Sequence, residues 1–158
     1  MRRMRIYLDT SVISYLDQQD TPEDMQKTRD LWEYLKSDEC EICLSETVLE
    51  EIYKCPEPKL SRLVTFLGQI RYILLEPDNE VAELAEKYIE EGVLTRKHLF
   101  DLVHLATASV NYCNILLSWN FSHIVQHKTM TGVNATNKRH GYGELLLLSP
   151  LSFKWEEE

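Results

Sequence analysis

This sequence predicts an α/β fold with a central, mostly parallel five-stranded sheet, and three observations carry that expectation. Short apolar runs alternate with helical patterns along the chain, the signature of βα units. At 158 residues the chain suits one domain whose core needs no disulfide staples. No repeat, low-complexity stretch or Pro/Gly/Ser-rich linker divides it, so residues 1–158 read as a single domain.

The apolar runs place strands at residues 5–8, 41–44, 72–75, 115–118 and 145–148. One helix starts at Thr21-Pro22-Glu23-Asp24, where a cap residue, a first-turn proline and two acids precede a buried stripe of Met25, Trp32 and Leu35. Further helices are expected over 46–54, 59–69, 80–91 and 98–112. Residues 128–143, rich in Asn, Thr, Gly, Lys and Arg, read as a long polar loop before the last strand, a place where substrate contacts tend to sit.

Hydrophobic residues at 44% and charged residues at 27% give an ordinary soluble balance, with no apolar run long enough to span a bilayer. The apolar segment behind Met1-Arg2-Arg3-Met4-Arg5 ends at Asp9, too soon for the core of a signal peptide, so a cytoplasmic protein is expected. Cys40 and Cys43 have C-x-x-C spacing, but a structural zinc site wants a second close pair, and Cys55 and Cys113 stand alone. The net charge of −9 excludes a broadly basic nucleic-acid binder. Its distribution is uneven: residues 92–143 carry +4 and all five histidines, leaving −13 for the rest.

Four residues are candidates for chemistry. Asp9 ends the first strand, and in an open parallel sheet ligands collect beyond the carboxyl ends of strands; its plainer role is to cap a helix through Ser11 to Tyr15. Asp101 is the only Lys, Arg, Asp or Glu among the thirty residues from His98 to His127, and a carboxylate between Phe100 and Leu102 is costly to bury without a partner. Its place in a first helical turn offers partial compensation, which a metal ion would exceed. Glu51 lies nearer than Glu50 to the apolar side marked by Val48, Leu49, Ile52 and Cys55, so Glu46 and Glu50 read as solvent-facing. Asn120, after the run 115–119, could ligate Mg²⁺ or cap the segment 121–127.

Leu8-Asp9-Thr10-Ser11, Val48-Leu49-Glu50-Glu51-Ile52, Asp101-Leu102-Val103-His104-Leu105-Ala106 and Ser118-Trp119-Asn120-Phe121 together resemble the four motifs of PIN domains, over almost the whole chain. Asn134, Gly141-Tyr142-Gly143 and residues 145–150 resemble the closing loop and strand of VapC-type toxins. The resemblance implies a three-layer α/β/α sandwich and a Mg²⁺-dependent endoribonuclease, Mn²⁺ being a possible substitute, that hydrolyses phosphodiester bonds of single-stranded RNA. It further implies a cognate antitoxin and a homodimer. Asp9 and Asp101 would be direct or water-mediated metal ligands, Glu51 would hold the metal or orient the attacking water, and Ser11 could hydrogen-bond that water or a neighbouring carboxylate. The charge distribution points to the basic segment as what meets the nucleic acid, with Lys138, Arg139 and Asn134 as contacts. Many relatives carry Asp where this chain has Asn120, which leaves one or two metals open. The apolar residues Leu60, Leu63, Val64, Phe66 and Leu67 could form a dimer face or pack on the sheet.

Two other readings stand beside this one. A phospho-accepting receiver domain also gathers acids at strand ends, but it wants an acidic pair after the first strand and a lysine at a strand end. A PIN-fold module that binds an antitoxin or RNA without cutting it is kept open by Asn120 and opposed by three acids converging on apolar surroundings.

Overall fold

Each of the five apolar runs forms a strand in the computed structural model, which describes residues 3–155 and so omits the first two residues of the basic start. The strands are β1 (Arg5–Leu8), β2 (Glu41–Ser45), β3 (Ile73–Leu75), β4 (Ile115–Leu117) and β5 (Leu146–Leu148). Their order is β3-β2-β1-β4-β5, and every pairing is parallel rather than most of them. Consecutive residues Ile6, Tyr7 and Leu8 of β1, and Ile115, Leu116 and Leu117 of β4, are all buried. Both faces of the central strands are therefore covered, the usual state of a parallel sheet with helices on each side.

The helices are α1 (Thr10–Ser14), α2 (Pro22–Leu35), α3 (Glu46–Tyr53), α4 (Lys59–Leu67), α5 (Asn79–Glu90), α6 (Leu99–Val110) and α7 (His127–Arg139). Short 3₁₀ turns follow α1 at Tyr15–Asp17 and precede α6 at Arg96–His98. Local chemistry sets several starts. Asp9, Ser45 and Asp78 each accept a backbone N–H three residues on and so cap α1, α3 and α5. Thr21 makes no such side-chain bond, so the start of α2 rests on Pro22, Glu23 and Asp24.

Helix α7 corrects the expectation of an irregular loop over 128–143. Its Thr, Asn and Gly content is poor in helix propensity, and packing outweighs that. Thr129, Val133, Thr136 and Asn137 are buried. Asn137 accepts from the Tyr88 hydroxyl at 2.6 Å and donates to Ser109 Oγ at 3.0 Å and Gly143 O at 3.2 Å. Gly132 lets the helix approach Val93, whose Cγ2 would stand 3.2 Å from any added Cβ. Of the two roles open to the apolar residues of α4, Leu63 and Leu67 take packing in the core, and Val64 is exposed. All four cysteines are free thiols, and among the described residues no helix is long and apolar enough to cross a membrane.

The connectivity prepares a site. From β1 the chain builds outward through β2 and β3, then returns to lay β4 on the other side of β1. The crevice beyond the carboxyl ends of β1 and β4 is the switch point where ligands collect in such sheets. Leu8 lies in register with Leu117, and the Asp9 N–H continues the ladder to Leu117 O at 3.2 Å.

Candidate active site at the strand ends

Asp9 is the first residue past β1 and is only 4% exposed. Its Oδ1 accepts the Ser11 hydroxyl at 2.6 Å and the Val12 N–H at 3.3 Å, so Asp9 caps α1 while standing at the strand end. Burial pushes its carboxyl above the ordinary range; the charge of His104 and bonds from Ser11, Ser118 and Val12 oppose this without cancelling it. Ser11 is a tie between strand ends, because its Oγ also accepts the Trp119 N–H at 2.8 Å.

Asp101 stands in the first turn of α6 and is half-buried. Burial raises its carboxyl as well, the charges of His104, His123 and His98 pull it down, and the negative charge of Glu51 pushes it up. Asp101, Glu51 and three histidines thus share one neighbourhood. The Asn120 amide donates to Asp101 Oδ1 and Oδ2 at 3.4 and 3.5 Å, while its oxygen accepts the His123 N–H at 3.0 Å. Asn120 therefore caps the turn that follows β4 and leans on Asp101 at once. The segment behind it is a series of turns that reaches helical form only at α7.

Glu51, not Glu50, faces inward: its Oε1 lies 3.0 Å from His104 Nε2, whereas Glu50 is exposed. Partial burial would raise the Glu51 carboxyl, but the hydrogen bond and charge of His104 hold it below the usual value. The other ring nitrogen, Nδ1, lies 2.6 Å from the Tyr7 hydroxyl, which is 2.8 Å from Ser45 Oγ. Desolvation drives the Tyr7 phenol well above its ordinary value, so it stays neutral. His104 and Tyr7 are the site residues that sequence reasoning missed. The only available signal was the gathering of every histidine in one segment, with His104 three positions, about one helical turn, after Asp101.

The residues expected to meet nucleic acid sit elsewhere on α7. Arg139 is paired with Glu91, which His140 also contacts at 2.9 Å. Asn134 holds the backbone of Leu145, accepting its N–H at 2.7 Å and donating to its carbonyl at 2.9 Å. Lys138 is exposed and lines a cleft with Tyr142 and Glu144.

The donor set can be tested against a divalent cation. Among the described residues neither Asp9 nor Asp101 forms an ion pair with Lys or Arg, and burial disfavours both charges. The buried Thr10 hydroxyl, near enough to Glu51 to lower its pKa, makes no hydrogen bond of ordinary geometry. Among those residues no three His, Cys, Asp or Glu side chains stand ready to enclose an ion. Hard oxygen donors suit Mg²⁺, which Asp9 and Asp101 would hold; Ser11 and Val12 already bond one Asp9 oxygen, the Asn120 amide leans on both Asp101 oxygens, and His104 engages Glu51.

No family model and no curated protein matches the chain. Among solved structures it is similar to a chain of VapBC2 from Rickettsia felis, crystallised bound to a DNA fragment from their promoter. The likeness has a TM-score of 0.59 and 18% identity, and covers 92% of this chain and 98% of that one. The fold is thus the PIN-like α/β fold that the four motifs implied, built on an all-parallel sheet.

Proposed function

We propose that this chain is a Mg²⁺-dependent endoribonuclease that hydrolyses phosphodiester bonds of single-stranded RNA, a toxin-like PIN nuclease. The observation that carries the proposal is that Asp9 and Asp101 gather beyond the strand ends at the switch point of the sheet, burial raising both carboxyls and neither forming an ion pair with Lys or Arg among the described residues. A divalent ion bound there would neutralise a phosphate and acidify a water. Ser11 keeps Asp9 oriented through its 2.6 Å bond, and Asn120 steadies Asp101. Glu51, held ionised by His104, is suited to orient the attacking water or to accept its proton. Lys138 is the member of the expected nucleic-acid contacts with an exposed charge and no acidic partner among the described residues. The VapBC2 neighbour supports a cognate antitoxin; a homodimer and a cytoplasmic location belong to the same proposal.

A second reading, a PIN-fold module that binds without cutting, is favoured by the Asn120 amide already occupying both Asp101 oxygens. One assay separates the two. Purified protein should cleave single-stranded RNA with Mg²⁺ or Mn²⁺ and stop on addition of EDTA. Asp9→Ala, Glu51→Ala and Asp101→Ala should each abolish cleavage while circular dichroism shows a folded chain. Normal cutting by folded Asp101→Ala would overturn the site assignment, and metal-independent RNA binding without cutting would establish the second reading.

A further inference from the structure

Beside the carboxylates lies a cleft of about 480 Å³ between the connection from α5 to α6 and the first turn of α7. Its floor is apolar, with Val93 and Leu94, and its charged lining is Arg96, Lys97, His98 and Lys128, with no acid among the lining residues. Arg96 is held by Glu86 through contacts of 2.6 and 2.7 Å. Lys97 and Lys128 are exposed and form no ion pair among the described residues, so the cleft keeps two uncompensated charges on a chain of net charge −9.

The cleft shares a wall with the candidate active site. His98 lines it, meets His123 with ring centroids 3.9 Å apart and planes tilted by 37°, and acts electrostatically on Asp101. His123 is in turn tied to Asn120 by its backbone. Phe100 and Phe121, the chain neighbours of Asp101 and Asn120, are 67% and 48% exposed. Exposed aromatic rings on the neighbours of Asp101 and Asn120, together with free lysines in the cleft, suit a strand whose bases are unstacked and whose phosphates need neutralising, which describes single-stranded RNA better than a duplex or an acidic protein segment.

We propose that this cleft seats a backbone phosphate of the RNA strand next to the one that Asp101 faces, with Lys97 and Lys128 as its contacts. The proposal rests on the nuclease reading for its ligand, and stands apart from it in the residues it names. The test is fluorescence anisotropy in EDTA with a labelled oligo-uridine of about ten nucleotides. The wild type is compared with Lys97→Ala/Lys128→Ala and with Lys36→Ala/Lys87→Ala, which removes the same charge from lysines paired with Glu33 and Glu90. Two lost phosphate contacts should lower the slope of log K against log salt by about 1.4, so that raising salt from about 50 to about 200 mM costs the cleft variant roughly sevenfold less affinity than the wild type. The control pair should keep the wild-type slope. If the cleft variant keeps it too while the wild type binds and cuts RNA, the cleft proposal falls and the nuclease reading stands. If the wild type binds without cutting and the cleft variant loses slope, the cleft survives and the nuclease reading falls. Absence of RNA binding by the wild type would overturn both. If poly-L-glutamate binds more tightly than the RNA and loses that binding in the cleft variant, the cleft is a seat for an acidic protein segment and the proposal is refuted.

Discussion

Replacing Asp9 with asparagine should stabilise the metal-free protein at neutral pH while removing its activity. Asp9 is 4% exposed and its charge meets no Lys or Arg among the described residues. Its compensation comes from the charge of His104 and from neutral donors, among them Ser11 at 2.6 Å and the Val12 N–H at 3.3 Å. Asparagine keeps an oxygen for both donors and caps a helix as well as aspartate does, so the change removes the charge and little else. Relief of one poorly compensated buried carboxylate is worth about 1–2 kcal/mol. For a domain of this size that raises the melting temperature by about 2–8 °C. The sign with pH follows from the raised native carboxyl. Below the ordinary carboxylate value Asp9 is protonated folded or unfolded, and the penalty is absent; it grows as pH rises toward the raised native value and is complete above it. Wild type and variant should therefore melt together in acid and diverge toward neutrality. Saturating Mg²⁺ should reverse the order, since at a hundredfold excess over Kd a ligand adds about 2.7 kcal/mol to the wild type, a gain that Asp9→Asn should largely lose. Thermal melts by circular dichroism in EDTA and in Mg²⁺, across pH, measure all of this. A variant that melts below the wild type in EDTA at neutral pH, or that gains as much from Mg²⁺, would refute the reasoning.

Two further predictions come from neighbouring contacts. Asn120→Asp replaces an amide donor 3.4 and 3.5 Å from the Asp101 oxygens with a fourth carboxylate, so the metal-free protein should lose about 1–3 kcal/mol near neutral pH, and Mg²⁺ should restore it; equal melting of variant and wild type in EDTA would place Asn120 outside the site. Asn137→Ala removes the amide that bonds the buried Tyr88 and Ser109 hydroxyls, which still meet each other at 3.0 Å, and should lower stability by about 1–3 kcal/mol in urea titration, with little effect on cleavage per folded molecule; an unchanged stability would mean that α7 is held by its apolar contacts alone.

Much of this protein was determined by sequence acting locally. Apolar runs form strands wherever they fall, because burial needs no knowledge of the partner strand, and β1 occupies residues 5–8 as expected. The capping of α1 by Asp9, the place of Asp101 in the first turn of α6 and the inward turn of Glu51 rather than Glu50 follow likewise from neighbours within one or two turns. The tertiary structure decided what depends on distant pairs. Helix α7 exists because Tyr88, Ser109 and Val93 receive a segment whose own propensity argues against it. Arg139 faces Glu91 because α5 and α7 pack together, which no local pattern reveals. His104 joins Tyr7, 97 positions away, and Glu51, 53 positions away, because the helix that buries Asp101 brings its next turn over the centre of the sheet. Burial and hydrogen bonding at a site reward proximity in space, and chain order reports that proximity only where a single helical turn or strand end supplies it.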